Sequence, residues 1–225
     1  RRFGNVVMCV FASDHRVEDV VTFQGVLETA MDLAAREGGL VTIGITPDRP
    51  ATAYGYLERG RAVQGGFRLA RFVEKPTRQR AEQFLDEGAY LWNAGMFVWT
   101  VEAILSALDA YAPDIVRPLR TAVKDGTVSD VFGSLPKISI DYAVMEHAPH
   151  AFVVEGDFGW DDIGDWRALE RLLPREDDAV HTVFGVHAGH DSAGNIVYTD
   201  SPDDVLVAFG VQDLVIVKRG DTVLI

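Results

Sequence analysis

Two short apolar runs near the N-terminus have the pattern of buried β-strands. VVMCVFA (6–12) and LVTIGI (40–45) are continuous and rich in β-branched residues, as expected of strands covered on both faces. Between them, apolar residues recur at helical spacing over 17–34, and Gly38–Gly39 follows as a stop signal. This strand–helix–strand order predicts a right-handed parallel crossover, and therefore an α/β sheet.

The same alternation of strands and helices continues through the middle of the chain. Further strands are predicted at 67–74, 90–99 and 151–156. Helices are predicted at 78–88 between Thr77 and Gly88, after Thr100 with an end or kink near Pro113, and over 142–148. The strand at 90–99 is interrupted in its middle, which indicates a bulge.

The pattern changes after Pro174. The charged run REDD (175–178) is followed by short alternating strands that are separated by Gly, Asp and Ser-Pro turns. We therefore predict a main α/β domain over residues 1–175 and a small, incomplete β appendage over 179–225.

Composition limits the classes of partner. The chain has 225 residues, of which 48% are hydrophobic and 24% charged, and no apolar run approaches the ~20 residues of a membrane-spanning helix. The net charge of -13 argues against nucleic acid and anionic membranes as partners, so local lysines, backbone amides or a metal ion must bind any phosphate. Cys9 cannot form an internal disulfide and is read as a core residue of a cytoplasmic protein.

Acidic residues follow two predicted elements. Asp14 comes after the first strand, where a carboxylate can hold a cation at the sheet edge; its alternative role is to cap the next helix. In FGWDDIGDW (158–166), the adjacent Asp161 and Asp162 repel each other, and a divalent ion would relieve that repulsion. A solvated loop is the alternative for this pair.

Three other segments have residues suited to a polar ligand. TAYGYLERG (52–60) lets backbone approach a ligand between two aromatic rings, or forms a plain hairpin turn. LWNAGMF (91–97) presents an amide, which donates and accepts hydrogen bonds as sugar hydroxyls require, or is a simple bulge with a satisfied Asn. RFVEKP (71–76) sets an acid and a base side by side at a strand end, where a solvated pair is the simplest reading.

These segments, in this order and together with ISIDYAVME (138–146), resemble the sugar-nucleotide pyrophosphorylases, and within them the bacterial enzymes that make GDP-mannose. The resemblance runs from Phe11 to the C-terminal β segment. It implies a Rossmann-like nucleotidyltransferase domain with a mixed or parallel sheet. It also implies that α-mannose 1-phosphate and GTP condense to GDP-mannose and pyrophosphate with the help of Mg²⁺.

The resemblance also implies roles for individual residues. Asp14 and Asp162 would hold Mg²⁺, with Asp161 replacing a usual serine, and Lys75 would bind the phosphate of the sugar. The sugar pocket would be formed by a set of six residues: Tyr54, Gly55, Glu74, Asn93, Gly95 and Asp141. The β appendage would join subunits in a homo-oligomer.

One departure from the family pattern affects the nucleotide site. The Gly-rich loop with which members of the family begin does not occur in this sequence, so we expect the nucleotide-binding start to be absent and the chain to be a fragment. The alternatives are a thymidylyl- or uridylyltransferase, a non-catalytic protein that binds a sugar phosphate, and a glycosyltransferase that consumes GDP-mannose.

Overall fold

The computed structural model describes residues 6–164, 166, 168, 182–184, 186–201 and 203–225. The chain divides into two compact units. The larger, N-terminal unit comprises Arg1–Ser13 and Val17–Trp160, and the smaller, C-terminal unit comprises Asp14–Arg16 and Asp161–Ile225. The predicted boundary between a main domain and a β appendage, at residues 175–179, lies outside the described residues.

The N-terminal unit is built on a six-stranded mixed sheet. Its strands are β1 (Val7–Val10), β3 (Leu40–Ile45), β4 (Tyr56–Val63), β5 (Gly66–Val73), β6 (Tyr90–Thr100) and β7 (Ala151–Gly156). The strand order is β1-β6-β3-β7-β5-β4, with a further pairing between β6 and β4. The two-residue strands β2 (Arg16–Val17) and β8 (Trp160–Asp161) pair with each other. The predicted α/β class and mixed sheet are confirmed.

The crossover from β1 to β3 joins two strands that are separated in the sheet by a third strand, β6. Both β1 and β3 pair with β6 in the antiparallel sense, so they run parallel to each other as predicted but are not neighbours. Within the described part of this sheet, the one parallel pairing joins β3 to β7, over Leu40–Ile45 and Ala151–Gly156. The sheet is therefore mixed because the long strand β6 returns between two strands of the opposite direction.

Most helices lie close to where their sequence signals predict them, whereas the short helix over Val128–Phe132 was not predicted. They are α1 (Val20–Glu37), α2 (Arg78–Glu87), α3 (Val101–Tyr111), α4 (Pro113–Asp125) and α5 (Val128–Phe132), followed by a π-helical turn over Asp141–Met145. Gly38 and Gly88 end α1 and α2 in the left-handed conformation that glycine adopts without strain. Pro113 divides α3 from α4, whereas Pro118 lies inside α4.

A bulge interrupts β6, as its sequence predicts. Val41 and Thr42 of β3 pair with Val98 and Phe97, but Gly44 pairs with Asn93, so the register shifts between these points. Gly95 lies within the shift at φ +66°, a conformation that a non-glycine residue adopts only with strain. The bulge is therefore fixed at one glycine in the middle of a buried strand.

The expectation that β1 is buried on both faces, with Cys9 in the core, is wrong. Met8 and Val10 are each 40% exposed, and Cys9 is exposed as well. The reason is that, among the described residues, β1 pairs with β6 alone and forms the edge of the sheet. An apolar run predicts a strand but does not report how many neighbours that strand has.

Side chains from both faces of the sheet form the core of the N-terminal unit. On one face, α1 packs Leu33 and Ala34 against Val41 and Phe152. Near the other end of the strands, Tyr56, Phe84, Tyr90 and Trp92 form an aromatic cluster under α2. No helix among the described residues is both long enough and apolar enough to cross a membrane.

The C-terminal unit is a short coil of strands that alternate between two sheets. They are β9 (Thr182–Phe184), β10 (Val186–His190), β11 (Ile196–Thr199), β12 (Val205–Phe209), β13 (Val215–Arg219) and β14 (Thr222–Leu224). One sheet contains β10 and β12, and the other contains β14, β13, β11 and β9 in that order. All these pairings are parallel except that of β13 with β14.

One spacing recurs through this coil. Val186 pairs with Val205, Ala193 with Gln212 and Ile196 with Val215, so each of these residues pairs with the one 19 positions later. The first pairing differs, because Thr182 pairs with Ile196, 14 positions later. The predicted short strands are confirmed for the described residues. The regular period was not visible in the sequence, because the coil requires only apolar alternation and turn residues at matching places.

Candidate functional site

Three segments of the N-terminal unit meet at one end of the sheet. Tyr56, the first residue of β4, pairs with Val73, the last residue of β5, and also with Trp92 of β6. The residues just beyond this level are therefore neighbours: Gly55 before β4, Glu74 after β5 and Asn93 in β6. The structure brings these three predicted residues together although they come from separate parts of the sequence.

The backbone at Gly55 is in close contact with both neighbours. Its carbonyl oxygen accepts a hydrogen bond from the backbone N–H of Asn93 at 2.8 Å. A Cβ atom at this position would lie 2.5 Å from Oε2 of Glu74 and 3.3 Å from Cβ of Asn93. A residue with a Cβ atom at this position would therefore have to displace the Glu74 carboxylate.

Glu74 has a largely buried carboxylate. Its side chain is 11% exposed, and its Oε2 atom is buried with no hydrogen-bond partner among the described residues. Burial raises the pKa of this carboxyl, and the charge of Asp141 raises that pKa further, while Lys75 acts in the opposite direction. The carboxylate therefore has an unused acceptor, and its charge is only partly compensated.

Lys75 lies next to this carboxylate in space as well as in sequence. Its Nζ is 3.7 Å from Oε1 of Glu74, and its side chain is 60% exposed. Strand β5 ends at Val73, and Lys75 has φ +44°, which is unusual for a residue with a Cβ. Because strand geometry has ended, the two adjacent side chains do not alternate and can face one ligand.

The side chain of Asn93 is held by three contacts. Its Oδ1 accepts from the hydroxyl of Thr42 at 2.9 Å and from the backbone N–H of Gly95 at 3.2 Å, while its Nδ2 donates to Oδ1 of Asp141 at 3.1 Å. Asn93 is 9% exposed and Thr42 is fully buried. The predicted bulge therefore holds the amide in one defined orientation through protein partners, which is also what the alternative of a bulge with a satisfied Asn predicts.

Asp141 begins the π-helical turn Asp141–Met145. The turn is closed by a hydrogen bond from the N–H of Glu146 to the carbonyl oxygen of Asp141 at 3.0 Å, and single π turns occur frequently at functional sites. Oε1 of Glu146 accepts from the backbone N–H of Glu74 at 3.3 Å. The turn is thus bonded both to β6, through Asn93, and to the segment that follows β5.

An aromatic group borders the same region. The ring of Tyr54 is 8% exposed and makes edge-to-face contacts with Trp92 and Trp160, with ring centroids 5.1 and 5.2 Å apart. The guanidinium of Arg49 lies over the rings of Trp92 and Tyr54, at 4.8 and 5.8 Å from their centroids. The loop before β4 is therefore fixed by aromatic packing and is not a plain hairpin turn.

The two predicted metal-binding aspartates belong to the C-terminal unit. Asp14 lies two residues before β2, and Asp162 directly follows β8. Beyond the other end of this strand pair, the N–H of Glu18 donates to the carbonyl oxygens of Phe158 and Gly159. The two segments therefore run in opposite directions, and Asp14 and Asp162 lie beyond the same end of the pair. The helix cap considered for Asp14 is supplied instead by Asp19, which accepts from the N–H of Thr22 at 3.0 Å.

The turn after β8 is tightly constrained. Asp161 is 7% exposed, and its Oδ1 accepts from the N–H of Ile163 at 2.9 Å. Oδ1 of Asp162 accepts from the N–H of Gly164 at 3.3 Å. Ile163 has φ +46°, which is a strained conformation for a β-branched residue. Strain of this kind is concentrated at functional sites, where the surrounding structure maintains it.

Two carboxylates at the same end of a strand pair fit Mg²⁺. This ion is usually held by one or two carboxylates, with water and substrate phosphates completing its coordination. Among the residues that the structure describes, no group of three or more His, Cys, Asp or Glu side chains is placed to hold a metal ion. Asp14 and Asp162 are therefore the residues that could hold such an ion, with water and a phosphate completing its coordination.

Three residues around the site were not predicted from the sequence. Thr42 and Glu146 bond directly to predicted residues, and Arg49 packs on Tyr54. Thr42 did carry a signal, because a lone hydroxyl in a buried apolar strand requires a partner. Glu146 and Arg49 lie in polar segments, where one charged residue does not stand out from its neighbours.

Comparison with known proteins identifies the class. The family model described as Nucleotidyl transferase matches residues 2–177. This match covers most of the chain and contains all nine predicted site residues. The chain belongs to the nucleotidyl transferase family.

Individual relatives show which members of the family this chain is similar to. Mannose-1-phosphate guanylyltransferases of Klebsiella pneumoniae and Escherichia coli are 38% and 35% identical over 100% and 98% of this chain. The chain spans about half the length of these curated relatives, 50% of each. A Thermus thermophilus crystal structure, titled as a mannose-1-phosphate geranyltransferase, superposes with a TM-score of 0.89. It is 36% identical and covers 99% of this chain, which in turn covers 66% of it.

Proposed function

We propose that the protein to which this chain belongs condenses α-mannose 1-phosphate with GTP to give GDP-mannose and pyrophosphate. Curated relatives that are named for this activity align with essentially the whole length of the chain. The observation that carries the proposal is the grouping of Glu74, Asn93 and Asp141 around a glycine backbone, beside the ammonium of Lys75. Hydroxyl-binding groups next to a cation are what a sugar phosphate requires.

The sugar ring binds against the surface that the Gly55 backbone and this polar group form together. The Glu74 carboxylate accepts a hydrogen bond from a sugar hydroxyl, and a hydrogen bond to a charged acceptor contributes about 1.5–3 kcal/mol. Gly95 and the Asn93 amide line the pocket, Asp141 borders it, and Tyr54 forms an apolar wall. The Lys75 ammonium binds the phosphate of the sugar.

Little covalent chemistry is required of the side chains. An oxygen of the sugar phosphate attacks the α-phosphorus of GTP, the bond from that phosphorus to the bridging oxygen breaks, and pyrophosphate leaves. No general base is needed, because the attacking phosphate is already ionised. Lys75 orients that phosphate and stabilises negative charge in the transition state, so the rate comes from positioning and electrostatics.

Asp14 and Asp162 are the residues that we propose as magnesium ligands. When bound there, Mg²⁺ would neutralise phosphate charge and so favour attack by one anion on another. The strained turn at Ile163 holds the second carboxylate in place. We further propose that the protein binds GTP as its nucleotide, acts in the cytoplasm and assembles as a homo-oligomer.

A binding measurement tests the sugar site directly. Isothermal titration of the 225-residue chain with mannose 1-phosphate, with and without Mg²⁺, is expected to show weak binding that the metal strengthens. Mannose, which lacks the phosphate, and inorganic phosphate, which lacks the sugar, serve as controls. Binding of inorganic phosphate as tight as that of mannose 1-phosphate would count against a sugar pocket at Gly55.

A turnover assay tests the reaction and the choice of base. The intact protein is expected to release pyrophosphate from mannose 1-phosphate with GTP, and much more slowly with UTP or dTTP. Preference for UTP or dTTP would show that the protein is a uridylyl- or thymidylyltransferase and not a guanylyltransferase. Sugar-phosphate binding without turnover on any nucleotide would instead indicate a non-catalytic binding protein.

A further inference from the structure

Thr42 places a hydroxyl inside an otherwise apolar strand. It lies in β3 with no solvent exposure, and its neighbours in the strand are Val41 and Ile43. Its Oγ1 lies 2.9 Å from Oδ1 of Asn93 and 3.3 Å from the carbonyl oxygen of Met96. Both acceptors belong to β6, one on each side of the bulge at Gly95.

The hydroxyl has a single proton, and its shorter contact is to the side-chain oxygen of Asn93. The backbone N–H of Gly95, which can only donate, points to the same oxygen at 3.2 Å. Two donors therefore converge on Oδ1. If the amide were reversed, these two donors would face the NH₂ group and all three contacts of the side chain would be lost.

The other end of the amide is bonded to Asp141, which borders the proposed sugar pocket. With Oδ1 held by Thr42 and Gly95, Nδ2 donates to Asp141 at 3.1 Å. Asp141 in turn interacts electrostatically with Glu74, the carboxylate that has an unused acceptor. The orientation of one amide thus determines which groups of the pocket donate and which accept.

We propose that Thr42 is a positioning residue that sets the orientation of the Asn93 amide and thereby the donor pattern of the sugar pocket. The proposal deepens the sugar-phosphate function and rests on it for its effect on binding. Thr42 does not itself contact the ligand. It acts through Asn93: its hydroxyl is the second donor, beside the N–H of Gly95, that holds Oδ1 of Asn93 on the side away from Asp141.

A purely structural role is the competing explanation, because any buried hydroxyl with two acceptors contributes to stability. Thr199 offers a matched control in the C-terminal unit. It is 6% exposed, and its hydroxyl donates to the carbonyl oxygen of Ser201 at 3.0 Å. Thr42→Val and Thr199→Val each remove one buried hydroxyl without changing side-chain shape, but only the first hydroxyl reaches Asn93.

The first measurement needs no ligand. In NMR spectra of the 225-residue chain, the side-chain ¹⁵N–¹H pair of Asn93, assigned with Asn93→Ala, is expected to shift in Thr42→Val. It should stay at its wild-type position in Thr199→Val and close to that position in Thr42→Ser, which keeps the hydroxyl. An unshifted Asn93 amide in Thr42→Val overturns the proposal. If the valine variant does not fold, Thr42→Cys, which offers only a weak donor, takes its place.

The second measurement links the orientation to binding. Thr42→Val is expected to weaken mannose 1-phosphate binding about tenfold, which is the effect of losing about one hydrogen bond. Thr42→Ser and Thr199→Val should stay within about twofold of wild type. Asn93→Ala and the double variant Thr42→Val/Asn93→Ala are expected to bind equally, since Thr42 acts through Asn93.

The two measurements separate the failure of this proposal from failure of the function. If the wild-type chain does not bind mannose 1-phosphate, the proposed function fails, and the amide spectrum alone still decides whether Thr42 orients Asn93. If wild type binds and Thr42→Val binds equally well, the positioning role is rejected while the function stands. Additive losses in the double variant would likewise reject it.

Discussion

Asn93 and Asp141 are joined by a hydrogen bond from Nδ2 to Oδ1 at 3.1 Å. The bond connects the bulge of β6 to a π-helical turn 48 residues further along the chain. Each partner is also held by other contacts: Asn93 by Thr42 of β3 and Gly95 of β6, and Asp141 by the hydrogen bond that closes its turn. A site supported in this way is organised before a ligand arrives, so single substitutions should change binding more than they change folding.

Loss of the ammonium at Lys75 should affect turnover far more than stability. Lys75→Met keeps the aliphatic stem, and we expect a hundredfold or greater decrease in kcat/KM in the intact protein, roughly 3 kcal/mol of transition-state stabilisation. Lys124→Met, in the last turn of α4, is the control for loss of one positive charge. Near-normal kinetics in Lys75→Met would remove this residue from the active site.

Glu74 should make stability depend on pH in an unusual direction. Its pKa in the folded protein lies above the ordinary value near 4.5, because of burial and the charge of Asp141. The native state therefore holds the proton more tightly than the unfolded state does. The free energy of unfolding should fall as pH rises from about 4.5 through the raised pKa, and then level off.

Replacing this carboxyl should remove that dependence. Glu74→Gln is expected to be more stable than wild type at pH 7 and to lose the decline above pH 4.5 in urea titrations. Its affinity for mannose 1-phosphate should fall about 10- to 100-fold, because a neutral acceptor replaces a charged one. Glu28→Gln, at an exposed position of α1, should change neither property. A decline that persists in Glu74→Gln would assign it to another group.

A methyl group at Gly55 should block the pocket at small cost to folding. In Gly55→Ala the new Cβ would lie 2.5 Å from Oε2 of Glu74, and the carboxylate, at the end of a flexible side chain, can swing away. We expect calorimetric binding of mannose 1-phosphate to be lost while the melting temperature changes little. Gly25→Ala is the control: nothing lies within 4 Å of its Cβ, and an alanine in α1 should stabilise by about 0.5–1 kcal/mol.

Asp162 should determine the magnesium requirement. In Asp162→Asn, a neutral amide replaces one of the two carboxylates that we propose as ligands, so half-maximal turnover of the intact protein should need at least about tenfold more Mg²⁺. Asp221→Asn removes a charge from an exposed turn of the same unit and serves as the control. An unchanged magnesium titration in Asp162→Asn would remove that aspartate from the proposed metal site and assign it to the turn, where it accepts from the N–H of Gly164.

Local patterns in the sequence were sufficient to predict most elements. The strand LVTIGI is observed at Leu40–Ile45, and the helix predicted between Thr77 and Gly88 is observed at Arg78–Glu87. These signals are local, because side-chain periodicity and glycine stops act within a few residues. The bulge at Gly95 was predictable for the same reason, since an Asn-Ala-Gly run breaks an apolar pattern.

Features that depend on distant partners were not predictable. The exposed position of Cys9 follows from strand order, and the role of Thr42 follows from the register between β3 and β6. The parallel coil of the C-terminal unit is likewise defined by pairings such as Ile196 with Val215. A single sequence records propensity and alternation but does not record which segments become neighbours.

The π-helical turn gives the site a dependence on chain length. Its closing bond spans five residues, from Asp141 to Glu146, where an α-helix would span four. Shortening the turn by one residue would restore ordinary helical geometry and rotate the first side chain by about 100° away from Asn93. The number of residues between Ile140 and Glu146 is thus as important to the site as its side chains. A deletion within this turn would disable the site although every functional residue is still present in the sequence.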